Sequence, residues 1–521
     1  MNLVIFTPGL IKSAIGRMTC LVVQALVKNG HVVTIVRTEA SFLLKDAAHS
    51  FPCEVVAWTD KVLVNKAADK ADALIYQVGN NFEYHCGCLD WLPKLPGLVC
   101  LHDYFLGHLF IGWAKEHSTD EVAEVLERLY DKKYEQYFCH SDSVSFIQGT
   151  CKSMPMTEWI ASMSAGVIVH SAWDRERLDS ACAGPVTVVP LAYEKPRQYQ
   201  EQVKDSTADE LIVITVGHVN ANKRAPSVIK AIGQSDDLRN KVVYRLVGAV
   251  EQDVAGELLA LAKELGVHLV IKGEVDDETL ARELANADVA CCLRWPTLEA
   301  ASASTIEAML CGKATVVTDT GFYSELPDDC VLKVSPESEA EDIKNALVKL
   351  SSDVTFRWKL GEKATLYAAE NFSPQGYADA LIEMSRLVNQ CTISRQAFFN
   401  LNVILAGWSE QKTSLKLSLE DSEKIRNVFA VGYDEQRGAV APNNYYRSIV
   451  GRYFIKLTNK LYRAVASRPK LFFMMKKLIK NNLWIRQWTV KMLSFPTSMT
   501  IVNKHQGVEV RYQKEQKGTV V

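Results

Sequence analysis

Leu293-Arg-Trp-Pro-Thr-Leu-Glu299-Ala-Ala-Ser-Ala-Ser304-Thr-Ile-Glu307-Ala-Met-Leu-Cys-Gly312-Lys-Ala-Thr-Val-Val-Thr-Asp319 is the stretch on which the reading of this chain turns. Two glutamates stand eight positions apart around a run of small residues. Glu307 is expected to open a short helix, which Gly312 stops before the apolar strand Ala314–Thr318. A helix N-terminus lined by small residues lets backbone N–H groups and the helix dipole approach an anion. Carboxylates accept hydrogen bonds from hydroxyls, and amides donate them to phosphate. Together these groups suit a nucleotide-sugar. A second reading of Glu307 stays open beside this one: Ser304, three residues earlier, makes a capping box with it, and a glutamate can cap and bind at once.

Working outward, the same alternation of strand and helix fills most of the chain. Leu3–Thr7, His31–Arg37, Ala73–Val78, Leu98–Leu101, Gly166–His170 and Val186–Pro190 read as strands, with Ser13–Asn29 as the first helix. A polar segment, Glu194–Glu210, interrupts as a linker. The pattern restarts at Leu211–Val216 and continues through Val242–Gly248, Val267–Lys272, Val289–Leu293 and Ala314–Thr318. Helical stretches at Ala255–Leu265 and Asp277–Ala287 lie between these strands, and Glu341–Leu350, Phe356–Asn371 and Gln375–Val388 close the unit. Strands separated by helix-length segments imply parallel β-α-β units. The expected class is therefore α/β, with two Rossmann-like doubly wound domains facing a cleft at the carboxyl ends of their strands. The expected boundaries are 1–193 and 194–389, with an extension over 390–521.

That extension differs in character. Between Gln436 and Val521 seventeen Lys and Arg face only Glu509 and Glu515, so this part carries about +15 and the rest about −17, within a net charge of −2. Phe454, Leu457, Leu461 and Val465 recur at helical spacing among Lys456, Lys460 and Arg463. Beyond Pro469, aromatic residues such as Phe472, Phe473, Trp484 and Trp488 alternate with more lysines. A mostly helical, basic and amphipathic extension is expected, able to lie on an anionic membrane surface. Packing on the catalytic domains with its charges in water is the other reading. No nucleic-acid-binding module is visible.

Bulk properties exclude several classes. With 521 residues, 48% hydrophobic and 23% charged, the chain is an ordinary globular sequence long enough for two or three domains. The start, Met1-Asn-Leu-Val-Ile-Phe, lacks a basic segment and reads as a buried strand, not a signal peptide. No window offers about 18 consecutive apolar residues. The 13 cysteines are scattered and read as reduced thiols. Neither Cys86-Gly-Cys88 nor Cys291-Cys292 has the spacing of a zinc site. There is no G-x-G-x-x-G and no P-loop.

Four further constellations accompany the glutamates. Pro8–Gly16, after the first strand, contains Gly9 and Gly16, which permit backbone approach to a ligand on the acceptor side. His102-Asp103 ends the strand Leu98–Leu101, where the imidazole can donate to a sugar hydroxyl with Asp103 orienting it. Gly166-Val-Ile-Val-His170-Ser171 and Val188-Val-Pro190 mark the fold. Gly217-His218-Val-Asn220-Ala-Asn-Lys223-Arg224 is a glycine turn followed by a basic pair, a pattern that can clamp a diphosphate.

In this order the motifs resemble family 4 glycosyltransferases of the GT-B fold, over roughly Met1–Val388. The glutamate pair resembles that family's E-x7-E motif, and Gly312–Pro327 its next strand and loop. Val78-Gly79-Asn80 and His102 are similar to family strand ends. The resemblance implies a retaining transferase that moves a sugar from a nucleotide-sugar donor to a glycan or lipid-linked acceptor, in bacterial cell-surface polysaccharide or glycolipid assembly. It implies no metal or other cofactor, front-face attack, and a location in the cytoplasm, peripheral on the membrane. It places His102, Glu299 and Lys223 at the chemistry, Glu299 on the donor sugar and Glu307 on the ribose. Gly273, Glu274 and Val275 would lie against the base, with Ala301, Ser302, Ala303, Ser304 and Thr305 meeting the diphosphate. Arg294 would either add charge there or pair with a carboxylate. His218 stands where the family usually has an arginine. That departure favours a second reading, a non-catalytic GT-B protein that binds a nucleotide-sugar or serves assembly, while the intact glutamates favour the enzyme.

Overall fold

The computed structural model describes residues 1–130, 147, 149–173, 175–196, 199 and 210–392, and four short strands beyond them. By its internal contacts the chain divides into two compact units. The larger comprises Met1–Ala161, Ile168–Arg175 and Val188–Glu383; the smaller comprises Ser162–Val167, Glu176–Thr187 and Met384–Val521.

The first sheet contains β1 (Asn2–Thr7), β2 (Val32–Arg37), β3 (Glu54–Ala57), β4 (Ala73–Val78), β5 (Leu98–Leu101), β6 (Gly166–Val169) and β7 (Val186–Val188). Its order is β3-β2-β1-β4-β5-β6-β7. β1 pairs in parallel with β2 on one side and β4 on the other, so the winding reverses there. Leu3 to Thr7 are all buried, as a central strand covered on both faces requires. The ring of Phe6 stacks on Tyr76 of β4 at 4.3 Å. The helix Ala14–Lys28 begins where Ser13 Oγ accepts from Gly16 N–H at 3.0 Å. It ends at Asn29, with Gly30 at φ +81 turning the chain into β2.

The second sheet contains β8 (Leu211–Val216), β9 (Val242–Val247), β10 (His268–Gly273), β11 (Val289–Cys292), β12 (Ala314–Thr318) and β13 (Leu332–Val334). The order is β10-β9-β8-β11-β12-β13, and every neighbouring pair is parallel. Here the winding reverses between β8 and β11. The helices Glu339–Ser352, Val354–Asn371 and Pro374–Gln390 follow. The expected doubly wound pair is therefore present. β3 and β13 are additions, short strands with half-exposed faces that carry little periodic signal.

Of residues 393–521 the structure describes two antiparallel strand pairs, Val431–Asp434 with Ala439–Pro442 and Ile501–Asn503 with Val508–Val510. The basic amphipathic segments of the expected mostly helical extension, around Phe454–Val465 and Phe472–Trp488, lie outside the described residues. Among the described residues no helix is long and apolar enough to cross a membrane. The described cysteines form no disulfides, and all but Cys53 and Cys86 are buried.

Candidate functional site

The site grows from the carboxyl ends of β5, β8 and β11. Beyond β11 the chain runs out to Glu299 and pairs with the end of β5. Phe105 N–H donates to Leu298 O at 2.9 Å, Ala300 N–H donates to His102 O at 3.1 Å, and Asp103 and Glu299 form an antiparallel bridge. Backbone hydrogen bonds thus hold Glu299 beside His102, although the two lie far apart in the chain. Glu299 Oε1 receives two donors, the Tyr323 hydroxyl at 2.6 Å and Arg294 Nε at 2.6 Å. The arginine is itself buried and braced, with its N–H on Thr318 Oγ1 at 3.0 Å and Nη1 on Leu293 O at 2.7 Å. Of the two readings for Arg294, pairing with a carboxylate is the one the geometry shows.

The helix after the small residues spans Ala303–Leu310, and its cap is Ser302, whose Oγ accepts from Thr305 N–H at 3.4 Å. Glu307 therefore does not open the helix, and Ser304 makes no capping box with it. The cap falls two residues earlier because Ser302 has the extended backbone that a cap needs. One turn inside, Glu307 is buried and paired with Arg17 from the first helix of the chain. Burial pushes the Glu307 carboxyl up, and Arg17 pulls it back. The Arg17 guanidinium also lies 5.8 Å from the ring centre of Tyr193.

Gly217 follows β8 at φ +90, and a Cβ there would lie 2.5 Å from Lys223 Nζ. The lysine ends the short 3-10 turn Ala221–Lys223 and folds back so that Nζ donates to Val216 O. It is 7% exposed. Burial, reinforced by the Arg294 charge, pushes its ammonium down to about 7; Cys292 and Glu299 act the other way. Arg224 does not join it in a clamp. At φ +57, Arg224 turns to its own half and grips Glu339, with Nε 3.0 Å from both oxygens and Nη2 at 2.9 Å. Glu339 is buried and needs those donors, as its further bond from Ser227 attests. His218 is exposed.

A cavity of about 430 Å³ lies against Glu299, lined also by Lys12, Ser13, Asn80, His102, Asp103, Tyr193, Ala301 and Ala303 among others; Gly217, Lys223, Arg294 and Glu307 are outside its lining. His102 is oriented by Gln77, not by Asp103: its Nε2 donates to Gln77 Oε1 at 2.6 Å, leaving Nδ1 to accept. Burial, with His170 and His85 nearby, holds its pKa well below the usual range, so the ring is neutral. Asp103 instead accepts from Asn80 N–H at 2.8 Å. Desolvation pushes its carboxyl up to about 7, and Glu299 adds to the rise.

Gly9 and Gly16 bracket this wall without entering the lining. The N–H groups of Gly9 and Leu10 are taken at 2.6 Å each by the buried Glu39 carboxylate, so they are not open to a ligand. At Gly16 a Cβ would lie 2.5 Å from Pro8 O, so its role is close backbone packing. Gly273 ends β10 at φ +72, Val275 is half-buried, and Glu274 makes an exposed ion pair with Lys12 at 3.3 Å. Three adjacent aspartate pairs, Asp236-Asp237, Asp276-Asp277 and Asp328-Asp329, serve locally: Asp276 caps a helix, Asp237 pairs with Lys241, and Asp328 pairs with Lys333.

The fold thus gathers His102, Asp103, Glu299, Ala301 and Ala303 at one cavity, with Arg294 and Lys223 beside Glu299. Arg224 is committed to Glu339, and the exposed His218 is outside the cavity lining. Arg17, Gln77 and Tyr323 escaped the sequence reading. The only available signal was Tyr323, which stands inside the Gly312–Pro327 run; Arg17 and Gln77 meet their partners across long chain separations.

Residues 197–367 match the family model for glycosyl transferases group 1, so the chain carries a domain of that kind. Among solved structures it is similar to a sucrose-phosphate synthase from Thermosynechococcus elongatus, at 16% identity and a TM-score of 0.54, covering 75% of this chain and 100% of that one. It is also similar to a glycosyltransferase from Rickettsia africae, at 13% identity and a TM-score of 0.50, covering 74% of this chain and 98% of that one. At these identities the likeness concerns the fold, which is GT-B with two Rossmann-like domains. No curated protein matches the chain by sequence.

Proposed function

We propose that this chain is a retaining, metal-independent glycosyltransferase of family 4, moving a sugar from a nucleotide-sugar to a glycan or lipid-linked acceptor. The observation that carries the reading is the convergence on one cavity of a buttressed carboxylate, a neutral imidazole and a helix N-terminus, with a buried lysine beside them. Glu299 accepts from hydroxyls of the donor sugar. Glu307 serves the ribose, the Gly273–Val275 turn lies against the base, and the first amides of the helix Ala303–Leu310 meet the diphosphate. His102 and Asp103 face the acceptor.

In the reaction the acceptor oxygen bonds to the anomeric carbon as the bond to the β-phosphate oxygen breaks. The departing diphosphate takes the acceptor's proton. Charge grows on that diphosphate, so preorganised donors supply the main stabilisation. We assign this role to Lys223, since Arg224 is committed to Glu339. A thermal-shift screen of UDP-, GDP- and ADP-sugars, followed by transfer assays with the stabilising donor, tests the reading. Absence of any stabilisation overturns it.

The second reading, a non-catalytic nucleotide-sugar-binding protein, draws support from exposed His218 and the diverted Arg224. Donor binding with neither transfer nor hydrolysis would establish it. The basic extension favours work on the cytoplasmic face of a membrane, where it would meet anionic lipid.

A further inference from the structure

The geometry points to Tyr323 as a positioning residue that, with Arg294, fixes the plane of the Glu299 carboxylate and so the direction from which its second oxygen meets the donor sugar. The inference rests on the donor-sugar role proposed for Glu299. Both donors converge on Oε1 at 2.6 Å, from different elements. Arg294 comes from the end of β11, and Tyr323 from the 3-10 turn Gly321–Glu325 after β12. No hydrogen bond among the described residues reaches Oε2. A lone carboxylate turns over a broad range about its Cγ–Cδ bond, but two charge-assisted bonds on one oxygen fix its plane. Oε2 is then the atom left for a sugar hydroxyl.

Tyr323 is fully buried, so its hydroxyl needs a partner, and satisfying a buried phenol is the simpler account of the contact. Two features go beyond that account. The hydroxyl spends its proton on a carboxylate already paired with an arginine, and the turn carrying it is anchored across the molecule. Glu325, two residues on, accepts Ala172 N–H at 2.9 Å and Trp173 N–H at 2.7 Å from the segment after β6. The tyrosine thus ties the orientation of Glu299 to a turn held by the opposite half of the larger unit.

The variant Tyr323→Phe keeps the ring and removes only the hydroxyl. Calorimetry on the full chain compares UDP-glucose, GDP-mannose and ADP-glucose with UDP, GDP and ADP. We expect the variant to lose about tenfold in affinity for the nucleotide-sugar that binds, the effect of one hydrogen bond to a charged group. Affinity for its nucleoside diphosphate should not change. In a Glu299→Ala background, which removes the acceptor of the Tyr323 hydroxyl, the same substitution should have no further effect, because its route is gone. Equal loss for nucleotide-sugar and nucleoside diphosphate, or undiminished loss in the Glu299→Ala background, refutes positioning through Glu299. If none of the three nucleotide-sugars binds the wild type, the donor reading falls first and the positioning role with it. Should Tyr323→Phe not fold, the Cζ resonance of Tyr323 in labelled wild-type protein decides. It should move on adding nucleotide-sugar and stay on adding nucleoside diphosphate; a resonance that responds to both or to neither refutes the role.

Discussion

Raising the pH should release the donor, because Lys223 must gain a proton to hold a diphosphate. In the free protein its ammonium is pushed down to about 7 by burial and by Arg294, with Cys292 and Glu299 opposing weakly. A bound diphosphate brings opposite charge into contact and raises that pKa. Below the free value the lysine is charged before and after binding, so affinity is level. Above it each pH unit removes about tenfold in affinity, or about 1.4 kcal/mol, until the bound value is reached. Between about pH 6 and pH 9 the charged fraction of free Lys223 falls about a hundredfold, so affinity should fall by the same factor, about 2.7 kcal/mol. A nucleotide-sugar is the right probe, since it lacks the terminal phosphate that itself titrates near pH 6. Calorimetry in two buffers of different ionisation enthalpy should show about half a proton taken up at pH 7 and nearly one at pH 9. Lys223→Met should bind more weakly with a level profile. Level affinity in the wild type, with no proton uptake, would refute the placement of Lys223 at the diphosphate.

Glu299→Gln should cut transfer by about a hundredfold or more while leaving the melting temperature within a few degrees; full activity in purified variant would remove Glu299 from the chemistry. Gly217→Ala sets a left-handed backbone and a Cβ 2.5 Å from Lys223 Nζ against the fold. It should weaken donor binding; Gly273→Ala, at φ +72 with open space around its Cβ, should cost about 1 kcal/mol of backbone strain in urea unfolding. Arg17→Ala leaves Glu307 buried without its cation. It should lower stability by about 2 kcal/mol, with most of the loss recovered in the double variant with Glu307→Gln. On anionic liposomes the full chain should float and a chain ending at residue 392 should not; equal flotation would rule out membrane targeting by the extension.

Much of this architecture was legible along the chain, for a reason specific to parallel sheets. Ala73–Val78, Leu98–Leu101, Leu211–Val216 and Ala314–Thr318 came out at their observed bounds. Interior parallel strands are covered on both faces and so become short, continuous apolar runs. Edge strands escape that rule: β3 has only Val56 buried, and nothing in Glu54–Ala57 signals a strand. The start of the helix after Glu299 was misplaced because the run Ser302-Ala-Ser304 offers two hydroxyl caps. Which one serves depends on the local backbone, and that is set by the pairing of Ala300 with His102.

The glutamates, the histidine and the lysine could be named because their motifs resemble the family's: His102 directly follows β5, Glu299 and Lys223 stand in the segments after β11 and β8, and Glu307 lies inside the helix that follows. Their partners could not. Gln77 rather than Asp103 orients His102, Glu339 rather than a ligand holds Arg224, and Glu39 takes the amides of the glycine loop. Each of these is the neutralising of a buried polar group by whatever donor or acceptor comes within about 3 Å. That choice depends on distances between segments far apart in the chain, and local patterning carries no information about those distances.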